Sequence, residues 1–379
     1  MDVFDQHVMM MNDRLEALER EGVKVFKLST TEREEFKRCR RRWDFASLSR
    51  QGLEPKKPAI QLWFGTGIHR GLEVFYREQK NPVEEFEQWA KTEVERIRQS
   101  QNGLWDEQVQ ELENTIELGK RMLENYVAWA SIEDSTSENG FTEVLYTERE
   151  FQTPILDPSG NPARFIDRNG QVWEMHLVGR LDMVVRDHYG KIWLMDHKTS
   201  KDKLDPQILI LNDQMTVYLW AAQQIFKMPF EGAFYNVLRK KLPTVPQLLK
   251  TGSLSKSKQI DTTYEVYLAE IEKHGFNPED YRDILEHLQE KPNTFFQREK
   301  VRRNQHEIAT AGRLLFLEAI DMLNDPFIYT NMTWDCRWDC DFAQLCKAMN
   351  RNDDVDWLLR AMYQKRQSEG VYDRIQTIE

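Results

Sequence analysis

The sequence is poor in cysteine: 379 residues hold only four, which excludes a disulfide-dense secreted scaffold. It has no apolar run near the ~18 residues that span a bilayer, so no membrane association is expected. Its opening residues, MDVFDQHVMMMNDRLEALEREG, lack the basic start and apolar stretch of a secretory signal, and a cytoplasmic location is the expectation. Internal repeats and low-complexity tracts are missing; the 13 prolines and 17 glycines are scattered, so most of the chain should be ordered. Net positive charge is missing too, with 52 Lys and Arg against 63 Asp and Glu giving −11. That excludes a protein that coats nucleic acid by bulk charge. It leaves room for a local basic groove around an acidic metal site. No G-x4-G-K-[ST] sequence occurs, so no helicase motor is on this chain.

What is present falls into four stretches. Residues 1–28 read as a charged lead-in of uncertain order, with a short helix through Leu15–Arg20. Residues 29–140 are helix-rich. Ser29, Thr30 and Thr31 offer N-caps, with a capping-box pattern at Thr31 and Glu34, for a helix to about Ser49. A Pro/Gly/Lys loop at 51–58 precedes helices near 64–79, 82–100 and 105–134. Residues 141–260 form the core: strand-like TEVLYTEREFQTPI, a hairpin turning at Asn169-Gly170, the strand KIWLMDHKT, a helix over 207–227 and the strand GAFYNVLRKK. Residues 261–379 carry helices near 262–290 and 303–324 around a strand at 293–302. A Trp- and Cys-rich segment at 334–346 and a last helix near 353–367 follow. The expected architecture is an α/β core with a mostly antiparallel strand set inside a helical shell.

The sharpest pattern lies in GRLDMVVRDHYGKIWLMDHKTS. Asp182 ends one apolar strand, and Asp196 and Lys198 end the next. Alternation puts Asp196 and Lys198 on one side of their strand and the His197 side chain on the other. If the two strands pair, Asp182 comes close to Asp196, and two such carboxylates repel unless a cation sits between them. Mg²⁺ is commonly held by one or two carboxylates plus substrate phosphate. It activates water there, and a neighbouring lysine orients the nucleophile. A lone Asp at a strand end is more often a cap or a solvated turn residue; the ordered set Gly179, Asp182, turn, Asp196, Lys198, helix is far more specific.

This ordered set resembles the PD-(D/E)XK nuclease superfamily, most closely its RecB-like exonuclease branch. The resemblance implies a restriction-endonuclease-like core, a central mixed sheet flanked by helices. It also implies a metal-completing histidine on an upstream helix, the place of His69 in GTGIHRGLEVFY, with Glu73 one turn later. The branch carries a Gln-x-x-x-Tyr helix after the lysine, and Gln214 and Tyr218 stand there, sharing a helix face. Taken alone, His69 reads as an ordinary part-buried histidine and Gln214 and Tyr218 as a packing pair. By resemblance, His69, Asp182 and Asp196 ligate Mg²⁺ or Mn²⁺, with the His197 backbone carbonyl as a further ligand. Lys198 then positions the attacking water or offsets transition-state charge, while Gln214 and Tyr218 shape the site or contact DNA.

One early and three late cysteines, Cys39 and Cys336, Cys340 and Cys346, suit a [4Fe–4S] cluster or Zn²⁺. AddB-type nucleases and four-cysteine CRISPR-associated exonucleases carry an iron–sulfur cluster with this one-plus-three layout, often with C-x-x-C-x5-C where this chain has C-x3-C-x5-C. Zinc is the rival, although paired C-x-x-C knuckles are missing. The cluster is expected to act as a clasp between the chain's two ends. Cations gather at Arg41 and Arg42, at Arg239 and Lys240, at Lys256, and at Arg298 and Arg302, all candidate DNA contacts.

The functional expectation is a metal-dependent DNA exonuclease acting on single strands or DNA ends in recombination, repair or replication. A helicase or recombinase partner in trans and an oligomer are compatible with it. Two other readings stay open: a DNA-binding component of such a complex with secondary or no cleavage, and a nuclease of CRISPR spacer acquisition rather than a stand-alone bacterial or phage enzyme.

Overall fold

The computed structural model describes residues 2–56, 60–99, 106–324 and 327–366. Positions 57–58, 100, 105 and 367, which close the loop and bound three of the helices expected above, lie outside the described residues. Among the described residues no helix is long and apolar enough to cross a membrane.

The lead-in is part of the fold rather than a loose preface. Helix α1 (Val3–Arg20) buries Phe4, His7, Met11 and Leu18, a spacing that makes one apolar stripe. Strand β1 (Lys24–Leu28) follows. Then come α2 (Thr30–Arg38) and α3 (Arg40–Ala46), so the single helix expected to Ser49 is broken at Cys39, which takes an extended conformation. The cap is Ser29, accepting from the Glu32 N–H at 3.1 Å, rather than Thr31. Strand β2 (Leu53–Pro55) leads to α4 (Ile60–Glu78), α5 (Pro82–Gln99) and α6 (Asp106–Thr136).

The sheet begins with β3 (Glu143–Pro154), β4 (Arg164–Ile166), β5 (Val172–Arg186) and β6 (Ile192–Ser200). Both expected turns form: Asp167 and Asp187 each accept two backbone N–H bonds at 2.9 Å, with Gly170 and Gly190 at φ of +80° and +76°. The helix expected over 207–227 is two, α7 (Pro206–Leu211) and α8 (Asp213–Phe226). The Asn212 side chain accepts from the Gln214 N–H and starts the second afresh. Strand β7 (Gly232–Arg239) precedes α9 (Tyr264–Lys273) and α10 (Arg282–Glu290), separated by Gly275 at φ +68° and a 3₁₀ turn opened by Pro278. Strand β8 (Phe296–Arg302), α11 (Gln305–Leu323), α12 (Ala343–Arg351), α13 (Val355–Met362) and β9 (Tyr363–Lys365) complete the order.

Seven strands form one mixed sheet ordered β1-β5-β6-β7-β8, with β3 and β4 on the other edge of β5. Strands β1 and β6 therefore share one edge of β5, and β1 pairs it only over Trp173–Leu177. β6 pairs only from Met183↔Met195 to Arg186↔Ile192. Alternation sends Val184 and Leu194 into the core with α8 and α11. Met183, Val185, Trp193, Met195 and Phe234 pack on the opposite face. A third cluster packs α4, α5 and α6 together. At the periphery an early and a late segment meet: β2 pairs antiparallel with β9, and Phe45 and Leu53 pack on Phe342, Leu345 and Tyr363.

Candidate metal centre

Strands β5 and β6 part immediately before Asp182 and Asp196, and that splay makes the site. Asp182 Oδ2 accepts the His197 backbone N–H at 2.8 Å, which fixes this carboxylate at the mouth of the gap. Asp196 and Lys198 lie on the α8 side as alternation requires, with Lys198 Nζ 2.9 Å from Asp196 Oδ2. Lys198 also donates to Gln214 Oε1 at 3.2 Å. Gln214 Nε2 in turn donates to the Thr30 hydroxyl, which reaches the Tyr218 hydroxyl, both at 3.4 Å. Gly179 leaves room for this contact: a Cβ would stand 2.9 Å from the Tyr218 hydroxyl and 3.0 Å from the Phe151 ring, so a larger residue would push one of them aside.

From α4, His69 Nδ1 reaches through the gap to within 3.5 Å of Asp182 Oδ2 and 3.7 Å of Glu148 Oε1. Glu148 was not anticipated. A bulge between Val144 and Tyr146 shifts the β3–β5 register by one, so that Thr147 opposes Met183 and Arg149 opposes Leu181. That sets Glu148 across from Asp182; without the bulge it would face Leu181 and the other side of the pleat. Its backbone sits at φ +44°, an uncommon conformation for a non-glycine residue. Glu148 Oε2 pairs with Arg180, whereas the buried Oε1 has no hydrogen-bond partner. No signal in the sequence marks that register shift.

The electrostatics match an incomplete site. Burial, reinforced by Glu148 for Asp182 and by Asp182 for Asp196, holds both aspartate carboxyls above their ordinary range. Burial alone would lower the His69 pKa, but Asp182, Glu148 and Asp196 together push it up to about 9. Lys198 is likewise raised: burial opposes its charge, and Asp196 and Asp182 outweigh that. His69, Glu148 and Asp182 offer ligand atoms all within 4.8 Å of one another, and oxygen-rich sets of this kind suit a hard divalent cation.

On the opposite face of β6 His197 is fully enclosed. Its Nδ1 meets Asn236 Nδ2 at 2.9 Å, its Nε2 the Met183 sulfur at 3.1 Å, and Tyr76 stacks on the ring. The imidazole is therefore no ligand; only its carbonyl remains available for that role.

The basic positions divide. Arg298 is a correction: its side chain is 0% exposed and pairs with Asp134, with the Tyr76 and Tyr126 hydroxyls at 3.4 Å. It is a core cation and no DNA contact. Arg302 opposes Gly232, at the end of β7 away from Lys198. Arg239 pairs with Asp261 at 3.4 Å, Lys240 lies over the Phe64 ring, and Lys256 is exposed. Arg41 and Arg42 line a cavity of about 40 Å³ together with Cys39, Cys336, Cys340 and Cys346. The four thiols are free, and burial raises those of Cys340 and Cys346. Asn331 ties this lobe to Cys39, its N–H donating to Sγ at 3.4 Å.

Carboxylates, a histidine and a lysine gathered where two strands part form a candidate metal site on an α/β sheet. The chain belongs to the PD-(D/E)XK nuclease superfamily, whose family model matches residues 27–347. It is thus a nuclease by family, of a kind that uses divalent metals such as Mg²⁺ or Mn²⁺. No relative among curated proteins matches it. One solved structure, "Crystal structure of SSO0001", shares 14% identity over 75% of this chain and 84% of its own, with a TM-score of 0.25, a likeness that carries no argument.

Proposed function

We propose that the protein is a divalent-metal-dependent DNA exonuclease that digests single strands or DNA ends in recombination, repair or replication. The observation that carries this reading is the convergence of His69, Glu148 and Asp182, from three separate elements, with ligand atoms within 4.8 Å of one another. Asp196, paired with Lys198, lines the same small pocket as Asp182 but stands outside that trio. These residues, with the His197 carbonyl, would hold Mg²⁺ or Mn²⁺; when bound, the ion activates water and offsets charge on the phosphodiester. Lys198, held between Asp196 and Gln214, orients the attacking water. Gln214 and Tyr218, joined through Thr30, keep Lys198 in place and shape the floor of the site.

Zinc is the rival, although paired C-x-x-C knuckles are missing from the sequence. Cys39, Cys336, Cys340 and Cys346, which line one small cavity, suit a [4Fe–4S] cluster. Held there, it would join Cys39 at the α2–α3 break to the segment before and within α12. Anaerobically purified protein should be brown; colourless protein with one stoichiometric zinc refutes the cluster.

End-labelled single- and double-stranded DNA incubated with Mn²⁺ tests the activity. Wild type should yield ladders from one end, and Asp196→Ala none, with folding intact. Inactivity of both, with DNA binding retained, would refute the enzyme and favour a DNA-binding component.

A further inference from the structure

Between Glu231 and Asp261 the chain has no acidic residue, while Arg239, Lys240, Lys241, Lys250, Lys256 and Lys258 all fall in that interval. In a chain where about one residue in six is acidic, this is a local reversal of sign. Asp261 closes the interval and takes up Lys241 at 2.5 Å and Arg239 at 3.4 Å. Lys250, Lys256 and Lys258 are exposed, and none of them forms an ion pair among the described residues. Lys256 donates to the Asp280 carbonyl and covers the Tyr281 ring.

The interval contains a short, anchored hairpin. Leu248 bridges Leu254 antiparallel. The Ser255 N–H donates to the Gln247 carbonyl at 2.9 Å, and the Leu249 N–H donates to the Ser253 carbonyl at 2.8 Å. Gly252 turns the tip at φ +78°. Leu254 is buried with Tyr267 and Tyr281; its N–H donates to the Tyr281 hydroxyl, and the Tyr267 hydroxyl donates to the Ser255 carbonyl. The arm that leads into the tip is apolar and outward. Leu248 is 52% exposed, Leu249 44% and nearby Val245 41%. Single exposed apolar residues are ordinary, but two on a tyrosine-anchored, lysine-flanked hairpin, with a third just before it, call for an occupant.

The segment that leads to the hairpin leaves the sheet beside the strand of the metal centre. β7 runs parallel to β6 with Val237 opposite Lys198, and the Lys240 N–H donates to the Ser200 carbonyl at 2.6 Å. Ser200 is two strand residues, about 7 Å, beyond Lys198. Six residues, 241–246, then lead from the end of β7, next to the strand that carries Asp196 and Lys198, to the hairpin.

We propose that residues 247–255 form a strand-separating pin: Leu248 and Leu249 pack on the terminal base pair of a DNA duplex while Lys250, Lys256 and Lys258 hold phosphates, so that one strand reaches the site unpaired. Apolar wedges that unstack base steps and lysines that displace phosphate counterions are the two chemistries combined here. DNA as the occupant follows from the sign of the interval and from the nuclease reading, on which the proposal rests.

A blunt duplex with 2-aminopurine in its terminal pair tests it, with Ca²⁺ replacing Mg²⁺ so that no strand is cut. Wild type should raise the fluorescence on binding; the Leu248→Ser, Leu249→Ser double variant should bind comparably without the rise. With Mn²⁺, that variant should lose about tenfold in rate on the blunt duplex and keep its single-strand rate. Lys250→Ala, Lys256→Ala and Lys258→Ala combined should weaken binding to both forms and lower the salt slope by about two on single strands and nearly three on duplex. Wild-type binding without a fluorescence rise, or double-variant losses equal on both substrates, overturns the pin. The two readings fail separately. A wild type that opens the end but cuts nothing refutes the nuclease and supports the pin; one that cuts duplex ends without opening them does the reverse.

Discussion

Asp196 and His197 are chain neighbours on opposite faces of β6, and they meet opposite environments. On the His197 side, Asn236, Tyr126, Tyr76, Arg298 and half-buried Asp134 form a network in which the one cation has its carboxylate and the hydroxyls have partners, with Arg298 Nε the one buried atom left unbonded. On the Asp196 side, three carboxylates crowd His69 and Lys198, and a buried Glu148 oxygen lacks a hydrogen-bond partner. Buried charge is costly unless paired. The closed network is architecture; the open cluster, with like charges facing one another, is shaped for a cation from outside.

That contrast can be broken most sharply at Asp196. Asp196→Asn should lower cleavage at least about 10³-fold, as loss of a metal-holding carboxylate does. The same change should raise the melting temperature of the metal-free protein. Burial and Asp182 raise the folded-state pKa of Asp196, so its ionised form is disfavoured by folding, and stability falls as pH rises above the unfolded value. A melting temperature that drops instead would mean that Asp196 is satisfied in the apo protein.

Arg298→Met probes the other face. Removing the buried cation from half-buried Asp134 should cost about 3 kcal/mol, read as a lower denaturant midpoint. An unchanged midpoint with weakened DNA binding would return Arg298 to the nucleic-acid surface.

Glu174 sharpens the comparison with a smaller effect. It is buried like Asp182, yet its charge is matched: burial opposes ionisation, and bonds from His176 and Arg14 outweigh it, holding the carboxyl down to about 2. A depressed pKa stabilises the fold fully above the unfolded value of 4.5 and loses that contribution as pH falls toward 2. At most about 3 kcal/mol is at stake. Glu174→Gln should flatten acid destabilisation in that window, measured by denaturation at stepped pH; a curve parallel to wild type would show Glu174 uncoupled from folding.

The same contrast explains what could be read from the sequence. Asp182, Asp196 and Lys198 were legible because a short turn joins two strands and alternation fixes which side chains share a face. His69, Gln214 and Tyr218 lie on remote helices and came only with the family pattern. Glu148 was hidden by a one-residue bulge, a register choice made by β5 and not by the local sequence of β3. Arg298 was misjudged because basicity does not reveal burial; its partner Asp134 stands 164 residues away. The lead-in looked loose because α1 and β1 find their partners, Gln152, Glu174 and the edge of β5, only in the assembled sheet.

The central claim is that the open cluster holds a divalent ion, and direct titration with Mn²⁺, followed by electron paramagnetic resonance of the free ion, tests it. Wild type should take up Mn²⁺, and Glu148→Gln should bind it about 10–100-fold more weakly while remaining folded. Equal Mn²⁺ uptake by both proteins would remove Glu148 from the site, and no uptake by folded wild type would contradict the account.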